Sequence, residues 1–415
     1  MTEQIETLII GGGQAGLALS YYLTQRGRDH VVLEQAAQAG NRWRNYCWDS
    51  FTWVTPNWTI RLPGAEYQGD DPDAFLTRAE IVAYFEQYVE RFNLPVRYGV
   101  RAMAVEQESE GGGYVIETSG VTFEAANVVV ATGLAHQPRL PSFAGELRGE
   151  IKQLHSTDYR NPETLRPGAV LVVGSAQSGC QIAEELYQSG RKVYLCVGSA
   201  VRMPRRYRSK DIFWWINKFG LSKRKIRLPS AKTKFPAPPH LSGKAGGHSL
   251  NLHQFAQDGV VLLGHLQGAQ AGKIILAPDL KKNLAKADRP EAIITKLIDL
   301  YVLITRMQLP KERLPQLRDG YEAQEILELD LRSAGIMTVI WATGYTFDFS
   351  LLKVPVLDRE GRPIHNRGVT NYPGLYFLGL PWQIRSVVLL GVGDDAAHIA
   401  SEIARRTQKP LAGAK

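Results

Sequence analysis

Three glycines with the spacing G-x-G-x-x-G, Gly11, Gly13 and Gly16, lie in the stretch ETLIIGGGQAGLALSYYLTQRG. An apolar strand precedes them, a helix starting near Gln14 follows, and a second strand ends at the acid Glu34. In this context the first glycine makes a tight turn, the second lets the backbone approach a pyrophosphate, and the third lets helix and strand pack closely. The helix N-terminus attracts phosphates, and the acid accepts hydrogen bonds from a ribose. The pattern predicts a dinucleotide site that prefers a free ribose, as in FAD; glycines of a surface turn are the alternative.

A second strand–glycine–helix unit lies in GAVLVVGSAQSGCQIAEELYQSGRKVYLCV, with Gly174, Ala176 and Gly179 at the three positions. Ala176 replaces the middle glycine, and its methyl narrows the gap between backbone and phosphate. The acid of the first unit has no counterpart here, because the equivalent offset reaches Val197. We therefore expect a second nucleotide site with a different ribose preference.

The second unit continues into the basic stretch VGSAVRMPRRYR, which contains Ser199, Arg202, Arg205 and Arg206. A carboxylate repels a 2′-phosphate, whereas an arginine binds one through two hydrogen bonds. The stretch predicts a preference for NADPH over NADH; a solvated basic loop is the alternative.

Two strands end in the same tripeptide: NVVVATG at 127–133 and MTVIWATGY at 337–345. Because they flank the second unit, they suggest that the chain leaves one nucleotide domain and later returns to it. The C-terminal stretch GLYFLGLPWQIRSVVLLGVGDDAAHIASEIARR would complete the first domain with a strand at 375–378 and a helix from about Gly391. The N-terminus of that helix is expected to face an electron-rich ring edge.

The predicted fold is an α/β arrangement of two nested Rossmann-like dinucleotide-binding domains. The expected boundaries are 1–160 and 330–415 for the FAD-binding domain, and 161–329 for the NAD(P)H-binding domain with insertions at about 205–248 and 279–320. We expect amphipathic interaction helices in the first insertion and at 289–307. For the first insertion a substrate lid, a dimer contact and a membrane-skimming surface are open alternatives.

The composition is that of a globular protein, with 44% hydrophobic and 22% charged residues in a chain of 415. The net charge of +8 comes without a zinc-finger or RNA-binding signature, so no nucleic-acid partner is expected. The N-terminus enters a strand at once and no apolar run has the length of a membrane span. We expect a soluble, cytoplasmic protein without stable membrane insertion, and a homodimer is left open.

Cysteine and histidine do not suggest a metal or dithiol centre. Cys47, Cys180 and Cys196 form no C-x-x-C pair and indicate a reducing compartment. The three histidines of the segment 240–253 match no common zinc spacing, so a structural role is expected for them and no metal site is predicted.

Together these residues resemble the class B flavoprotein monooxygenases, the group of the flavin-containing monooxygenases, the plant YUCCA enzymes and the Baeyer–Villiger monooxygenases. The resemblance covers nearly the whole chain: both nucleotide units, GNRWR at 40–44, both A-T-G ends and HSTDYRNP at 155–162. The combination of WDSFTWVTPNW, LPG and GDDPDAF with PRRYR is similar to a bacterial subgroup of flavin-dependent oxidoreductases encoded in nitrilase gene clusters.

The resemblance implies roles outside the glycine motifs. Gly40, Trp43 and Arg44 match a G-x-x-W-R segment that the family places beside FAD. Asn57, in TPNW, matches an asparagine near the reactive flavin edge, which implies a catalytic role as hydrogen-bond donor. Capping of a loop turn is the alternative for Asn57.

A family fingerprint at the domain interface is matched in part. His155, Ser156 and Tyr159 fit its second half. Its first half departs, because Leu147 replaces a phenylalanine and Gly149 precedes the histidine by six residues instead of four.

Four tryptophans, Trp43, Trp48, Trp53 and Trp58, follow one another at a spacing of five residues. This spacing fits neither the helical period of 3.6 nor the strand period of 2. The loop 41–58 is expected to pass along FAD, where its indoles exclude water. Packing of the loop against its own domain is the alternative, and which indoles touch flavin is open.

The family's chemistry implies that NADPH reduces FAD, which then forms a C4a-(hydro)peroxyflavin with dioxygen and oxygenates a small organic substrate at nitrogen, sulfur or a carbonyl carbon. One alternative is an NADPH oxidase or reductase that passes electrons to oxygen or an external acceptor. Another is an FAD- and NADP-binding redox sensor or scaffold without turnover.

The expected contacts are as follows. Those to FAD are Gly11, Gly13, Gln14, Ala15, Gly16, Glu34, Gln35, Gly40, Trp43, Arg44, Trp48, Ala131, Thr132, Gly133, Gly379 and Gly391. Those to NADP are Gly174, Ala176, Gln177, Ser178, Gly179, Ser199, Arg202, Arg205, Arg206, Ala342, Thr343 and Gly344.

Overall fold

The computed structural model describes residues 2–108, 112–133, 137–147, 151–198, 201–220, 239–380 and 391–407. In these ranges, two mainly parallel sheets carry helices on their faces, so the predicted α/β class is confirmed. The α-helices are α1 (Gln14–Gln25), α2 (Asn41–Tyr46), α3 (Arg78–Arg91), α4 (Gln177–Gln188), α5 (Ile212–Lys218), α6 (Leu252–Gln257), α7 (Leu280–Thr305), α8 (Asp319–Glu322) and α9 (Val392–Thr407). Helix α1 begins at the predicted residue, and α9 begins one residue after it.

The first sheet is built around the N-terminal strand. Its strands, in order, are Val96–Tyr98, His30–Glu34, Thr2–Ile10, Thr122–Val130, Tyr114–Thr118 and Ala102–Gln107, with Leu375–Phe377 also paired to Thr122–Val130. The first four strands and Leu375–Phe377 run parallel, and the other two form an antiparallel extension. The central strands end in unbroken buried runs, as expected where helices or loops cover both faces.

The second sheet is wholly parallel. Its order is Lys152–His155, Ile336–Trp341, Ala169–Val173, Val193–Cys196 and Val261–Leu263. The predicted boundaries at 160 and 330 are therefore wrong at both ends, because the strands Lys152–His155 and Ile336–Trp341 belong to the second sheet. Only the pairing across the sheet reveals the partner of each of these strands.

Smaller sheets attach to the two main ones. An antiparallel sheet contains Leu266–Gln270, Lys273–Leu276 and Glu328–Asp330, and two-residue pairs join Arg61–Leu62 to Ala65–Glu66, Gln137–Pro138 to Tyr345–Thr346, Arg206–Tyr207 to Lys210–Asp211, and Leu241–Ser242 to His248–Ser249.

Helix α7 is longer than the helix expected at 289–307, because it begins at Leu280 and contains Pro290. A proline removes one backbone hydrogen bond, and packing compensates along the inner face. There Ile294, Ile298 and Val302 form a core with Trp215 of α5. Among the described helices, none is long and apolar enough to cross a membrane.

The part of the chain built on each main sheet is called the first or the second unit. The inserted hairpin Leu241–Ser249 of the second unit packs against the tryptophan-rich loop 41–58 of the first. Gly243 lies so close to it that a Cβ would be 2.1 Å from the carbonyl oxygen of Trp53 and 2.8 Å from the Cβ of Phe75. The backbone of Gly243 has a φ of −89°, which any residue can adopt. Glycine is therefore required here by space and not by conformation.

We predict that Gly243→Ala destabilises the junction between hairpin and loop by about 1–3 kcal/mol, because the added methyl overpacks a backbone contact. Urea unfolding followed by tryptophan fluorescence would measure the change. Gly268→Ala is the matched control, because a Cβ there meets nothing within 4 Å. Equal stability of the two variants would contradict the prediction.

Candidate dinucleotide-binding site

The first glycine motif lies where the N-terminal strand passes into α1. Gly11 has a φ of +114°, and a Cβ there would lie 2.4 Å from the carbonyl oxygen of Ala131. A Cβ on Gly16 would lie 2.0 Å from the carbonyl oxygen of Gly11. At Gly13, in contrast, a Cβ would meet no described atom within 4 Å. The first and third glycines thus permit close packing, and the second leaves space for a ligand. We call this motif with the A-T-G end beside it the first cradle.

The N-terminus of α1 is available to an anion. Gly13 is its N-cap, no side chain caps it, and its first turn contains no acidic residue. Helix N-termini of this kind bind phosphate through backbone N–H groups and the helix dipole. Gly379 also reaches this point, since a Cβ there would lie 2.7 Å from the Cβ of Ala15.

Glu34 is held at the edge of the first cradle. Its carboxylate accepts hydrogen bonds from the backbone N–H groups of Gly12 at 3.0 Å and Ala36 at 2.9 Å. Each carboxylate oxygen can accept a further hydrogen bond, so the fixed side chain can also receive a ribose hydroxyl. The neighbouring Gln35 is exposed.

The second motif repeats the geometry of the first. Gly174 has a φ of +105°, and a Cβ there would lie 2.6 Å from the carbonyl oxygen of Ala342. A Cβ on Gly179 would lie 1.8 Å from the carbonyl oxygen of Gly174. Ala176 is the N-cap of α4, again without a capping side chain or an acid in the first turn. Each A-T-G end therefore lies against the first glycine of its own motif, which defines a second cradle.

The structural counterpart of Glu34 is Val197. Gly11 donates its N–H to the carbonyl of Leu33, and Gly174 donates to that of Cys196, one residue before each position. Val197 is fully buried. In place of the carboxylate bond, the N–H of Gly198 is bound by the Ser175 hydroxyl at 3.1 Å.

The three arginines expected at the 2′-phosphate differ in their partners. Arg202 contacts Asp288 at 3.2 Å and Glu291 at 2.9 Å. Arg206 is exposed, and its guanidinium donates to the carbonyls of Gly246 and Gly247. Of these two, only Arg206 lacks a carboxylate among its described contacts. Ser199, also expected here, lies outside the described residues.

Arg205 is a buried connection between the two units. It pairs with Asp211 at 2.8 Å, donates to the carbonyl of Val54 at 2.6 Å, and lies over the ring of Phe75 at 4.1 Å. Burial lowers the pKa of Arg205 to about 10, despite the neighbouring carboxylate. Its described contacts bind the tryptophan-rich loop to the insertion, a role that the sequence did not reveal.

Side chains of the second cradle and its A-T-G end also have local partners. Gln177 exchanges hydrogen bonds with the backbone of Leu241, and Thr343 donates to the carbonyl of Arg139. Ser178 is half-buried. Contacts of Gln177, Ser178 and Thr343 to a nucleotide stay predictions, as do those of Thr132, Gly133 and Gly344 at the A-T-G ends.

The G-x-x-W-R segment forms α2, which begins after Gly40 in a left-handed conformation, φ +71°. Trp43 stacks on Phe85 with ring centroids 4.6 Å apart, and Arg44 pairs with Glu86 of α3. Trp43 and Arg44 thus anchor α2 on α3. Their contact to FAD, like that of Gly391 at the start of α9, stays a prediction.

The tryptophans divide between the two units. Trp53 packs on Trp43 at 5.5 Å within the first unit, whereas Trp48 is only 6% exposed and belongs to the core of the second. Tyr159 belongs to the same core. The packing alternative is therefore favoured for Trp43, Trp48 and Trp53.

Asn57 is 3% exposed, and both ends of its amide are engaged. Its Nδ2 donates to the carbonyl of Asp71 at 3.1 Å, and its Oδ1 accepts from the N–H of Leu76 at 2.9 Å. These bonds hold the loop 51–59 to the segment 71–76, and they favour the structural alternative for Asn57.

A hydrogen-bond network links α2 with the fingerprint and the second A-T-G end. His155 bonds Thr157 at 2.7 Å and the carbonyl of Gly344 at 3.0 Å. The Thr157 hydroxyl bonds that of Tyr345 at 2.7 Å, and Arg42 donates to Tyr345 at 2.8 Å. Burial lowers the pKa of His155 and so favours the neutral ring. Through Arg42 the network joins α2 to His155 of the fingerprint, and the role of the fingerprint at the domain interface stays a prediction.

The other fingerprint residues bond within the second unit, and Ser50 of the tryptophan-rich loop reaches the same carboxylate as Tyr159. Ser156 bonds the backbone of Trp341. Tyr159 is fully buried and donates to Glu185 at 2.7 Å, while Ser50 donates to the same carboxylate. Sequence reasoning missed Arg42, Thr157 and Tyr345, although Arg42 lies within GNRWR and Tyr345 directly follows A-T-G.

The cysteines and the three histidines have separate, buried or paired environments. All three thiols are free and buried. His248 bonds Glu184 at 2.6 Å, His253 bonds Asp288 at 3.1 Å, and His240 lies beside Cys180. In the described ranges, no three His, Cys, Asp or Glu residues are grouped as metal ligands.

Two glycine cradles, each with a helix N-terminus, define a protein with two dinucleotide-binding folds. A family model described as pyridine nucleotide-disulphide oxidoreductase matches residues 8–218. The chain is 34% identical over 407 residues to an uncharacterized CzcO-like oxidoreductase of Geobacillus kaustophilus, covering 97% of this chain and 99% of that one. It therefore belongs to the pyridine nucleotide-disulphide oxidoreductase family.

Two further comparisons support the expected relationship to the class B flavoprotein monooxygenases. Indole-3-pyruvate monooxygenase YUCCA1 of Oryza sativa is 27% identical over 412 residues, which cover 95% of this chain and 90% of that one. A flavin-containing monooxygenase from Stenotrophomonas maltophilia has the same fold, with a TM-score of 0.67, 19% identity and coverage of 97% and 99%. The expected superfamily is confirmed, and the chain is an enzyme of the flavin-dependent oxidoreductase kind.

The different environments of the arginines predict different effects on substitution. Arg206→Ala should raise KM for NADPH about tenfold or more and leave KM for NADH unchanged, because a charge-assisted bond to the 2′-phosphate is worth about 1.5–3 kcal/mol. Steady-state kinetics with both nucleotides would measure this. Unchanged NADPH preference in Arg206→Ala would refute the role of Arg206 at the 2′-phosphate.

Arg205→Ala should instead lower the free energy of unfolding by about 3–5 kcal/mol, because Asp211 is left buried without its partner.

For Asn57 we predict a mainly structural effect. Asn57→Ala should lower the free energy of unfolding by about 1–3 kcal/mol, because a buried N–H and a carbonyl lose their partner. Thermal unfolding and the yield of product per NADPH, both measured on the FAD-loaded protein, separate the two roles. A normal melting temperature with a collapsed product yield would restore the catalytic assignment.

Proposed function

We propose that this chain is an NADPH-dependent, FAD-containing monooxygenase that adds one oxygen atom of dioxygen to a small organic substrate. The observation that carries this proposal is the repeated cradle with an acid at its edge in one copy and a valine in the other. An acid suits the free ribose of FAD, and its absence suits a nucleotide with a 2′-phosphate. Both sites lie on one chain, as a hydride transfer between nicotinamide and flavin requires.

The residues present fit the two cofactors. No side chain caps the N-termini of α1 and α4, so their N–H groups are available to a pyrophosphate, and Glu34 would hold the FAD ribose. Arg206 would bind the 2′-phosphate of NADPH. Bound FAD would supply the two-electron redox chemistry and activate dioxygen; the protein orients the nucleotides and excludes water.

Fixed geometry between the two sites supports this function. The Arg42–Tyr345–Thr157–His155 network ties α2 of the first unit to Gly344 of the second cradle. Arg205 connects the same units on the insertion side. We infer that these contacts hold the nucleotide sites in register and keep the intervening space dry.

The chain's buried thiols argue against a disulfide reductase that works through a cysteine of this protein. The three free cysteines are buried, and burial raises the pKa of all three thiols. The reactive thiolate is therefore disfavoured. A disulfide reductase that works through a cysteine of the protein needs an accessible thiolate. This supports the monooxygenase within a family whose description includes disulphide reduction.

The test is a stopped-flow experiment on the purified yellow protein. After reduction by NADPH, mixing with oxygen should produce a transient flavin spectrum distinct from those of the reduced and oxidised forms. Direct reoxidation with one hydrogen peroxide per NADPH would instead establish the oxidase alternative. Absence of reduction by NADPH would support a sensor or scaffold without turnover and overturn both enzymatic alternatives.

A further inference from the structure

Helix α7 presents a continuous stripe of basic and apolar side chains to solvent. Residues spaced three or four apart lie on one face of a helix, and those of this stripe are Lys282, Lys286, Arg289, Ile293, Leu297, Leu300 and Ile304. The first three are cationic and the last four are large and aliphatic. Lys296 and Leu303 lie beside the stripe and are also exposed.

The aliphatic half of the stripe is open to solvent. Ile293, Leu297 and Leu300 are 49%, 51% and 53% exposed, and Leu303 and Ile304 are 74% and 70% exposed. The opposite face of the same turns is buried against Trp215. A helix that has already buried one apolar face does not need a second one for its own folding.

The charges of α7 are sorted between its two sides. Its three carboxylates point away from the stripe: Asp288 and Glu291 pair with Arg202, and Asp299 pairs with Arg208. The outward cations therefore have no acid on their own face of the helix. The stripe therefore combines positive charge with exposed aliphatic surface.

We propose that this face of α7 binds reversibly to the surface of an anionic phospholipid membrane. Such a surface satisfies both parts of the stripe, because acyl chains receive aliphatic side chains and head-group phosphates attract lysine and arginine. A second copy of the chain fits less well. Antiparallel pairing along the whole stripe lays the basic half of one helix on the aliphatic half of the other, and parallel pairing sets like charges together.

The proposal is independent of the monooxygenase activity and is tested on the full-length FAD-loaded protein. Sucrose-loaded vesicles of phosphatidylcholine, alone or with one-third phosphatidylglycerol, are sedimented with the protein. We expect sedimentation with the anionic vesicles, much less with the neutral ones, and a marked loss when salt rises from about 0.1 M to about 0.5 M. Sedimentation that is absent, or equal with both vesicles, would overturn the proposal.

Two sets of variants assign the binding to the stripe. Leu297→Gln with Leu300→Gln should weaken binding about tenfold or more, because two exposed aliphatic side chains no longer enter the acyl boundary. Lys282→Gln with Lys286→Gln should abolish the preference for anionic vesicles. Leu140→Gln with Ile364→Gln is the matched control, since these aliphatic side chains are 52% and 47% exposed elsewhere and their loss should change nothing.

The oligomeric state separates a membrane from a second copy. Sedimentation velocity should give the same species for the wild-type protein and for Leu297→Gln with Leu300→Gln. A wild-type dimer that this double variant converts to a monomer would assign the stripe to self-association and overturn the proposal.

Discussion

At both cradles a glycine lies so close to the carbonyl oxygen of a neighbouring strand's exit that no side chain fits. Gly11 meets Ala131, and Gly174 meets Ala342. At each cradle this contact forces the chain to turn sharply from strand to helix and brings the helix N-terminus to the carboxyl edge of its sheet. The available N–H groups, the open position at Gly13 and the placement of the A-T-G ends all depend on it. One steric constraint, used twice, thus builds both nucleotide sites.

The two units are joined by part-buried polar contacts as well as by apolar packing. Glu185 of α4 accepts a bond from Ser50 of the tryptophan-rich loop, and Arg205 donates to the backbone of Val54 in the same loop. Buried charges are costly unless they are paired and hydrogen-bonded, so these contacts tolerate few relative positions of their partners. Polar contacts of this kind suit a protein that must hold two nucleotides in a fixed relation.

Acid and base are distributed unequally between the cradles. The first retains Glu34, fixed by two backbone bonds, while the second buries Val197 at the same place. Several arginines follow, but Arg202 pairs with two carboxylates of α7 and Arg205 pairs with Asp211. A basic stretch in the sequence therefore overstates the positive charge that a ligand would meet, because pairing across the fold neutralises part of it.

Much of this molecule was determined by the sequence alone. The strand, glycine and helix order located both cradles and the starts of α1 and α9 within a residue, because these signals are local and act over three to five neighbours. Tertiary structure alone decided the rest. It moved Lys152–His155 and Ile336–Trp341 into the second sheet, divided Trp43 and Trp48 between two cores, and gave Arg205 and Asn57 their partners. Each of these depends on contacts between residues far apart in the chain, and no local pattern specifies which distant residue a side chain will meet.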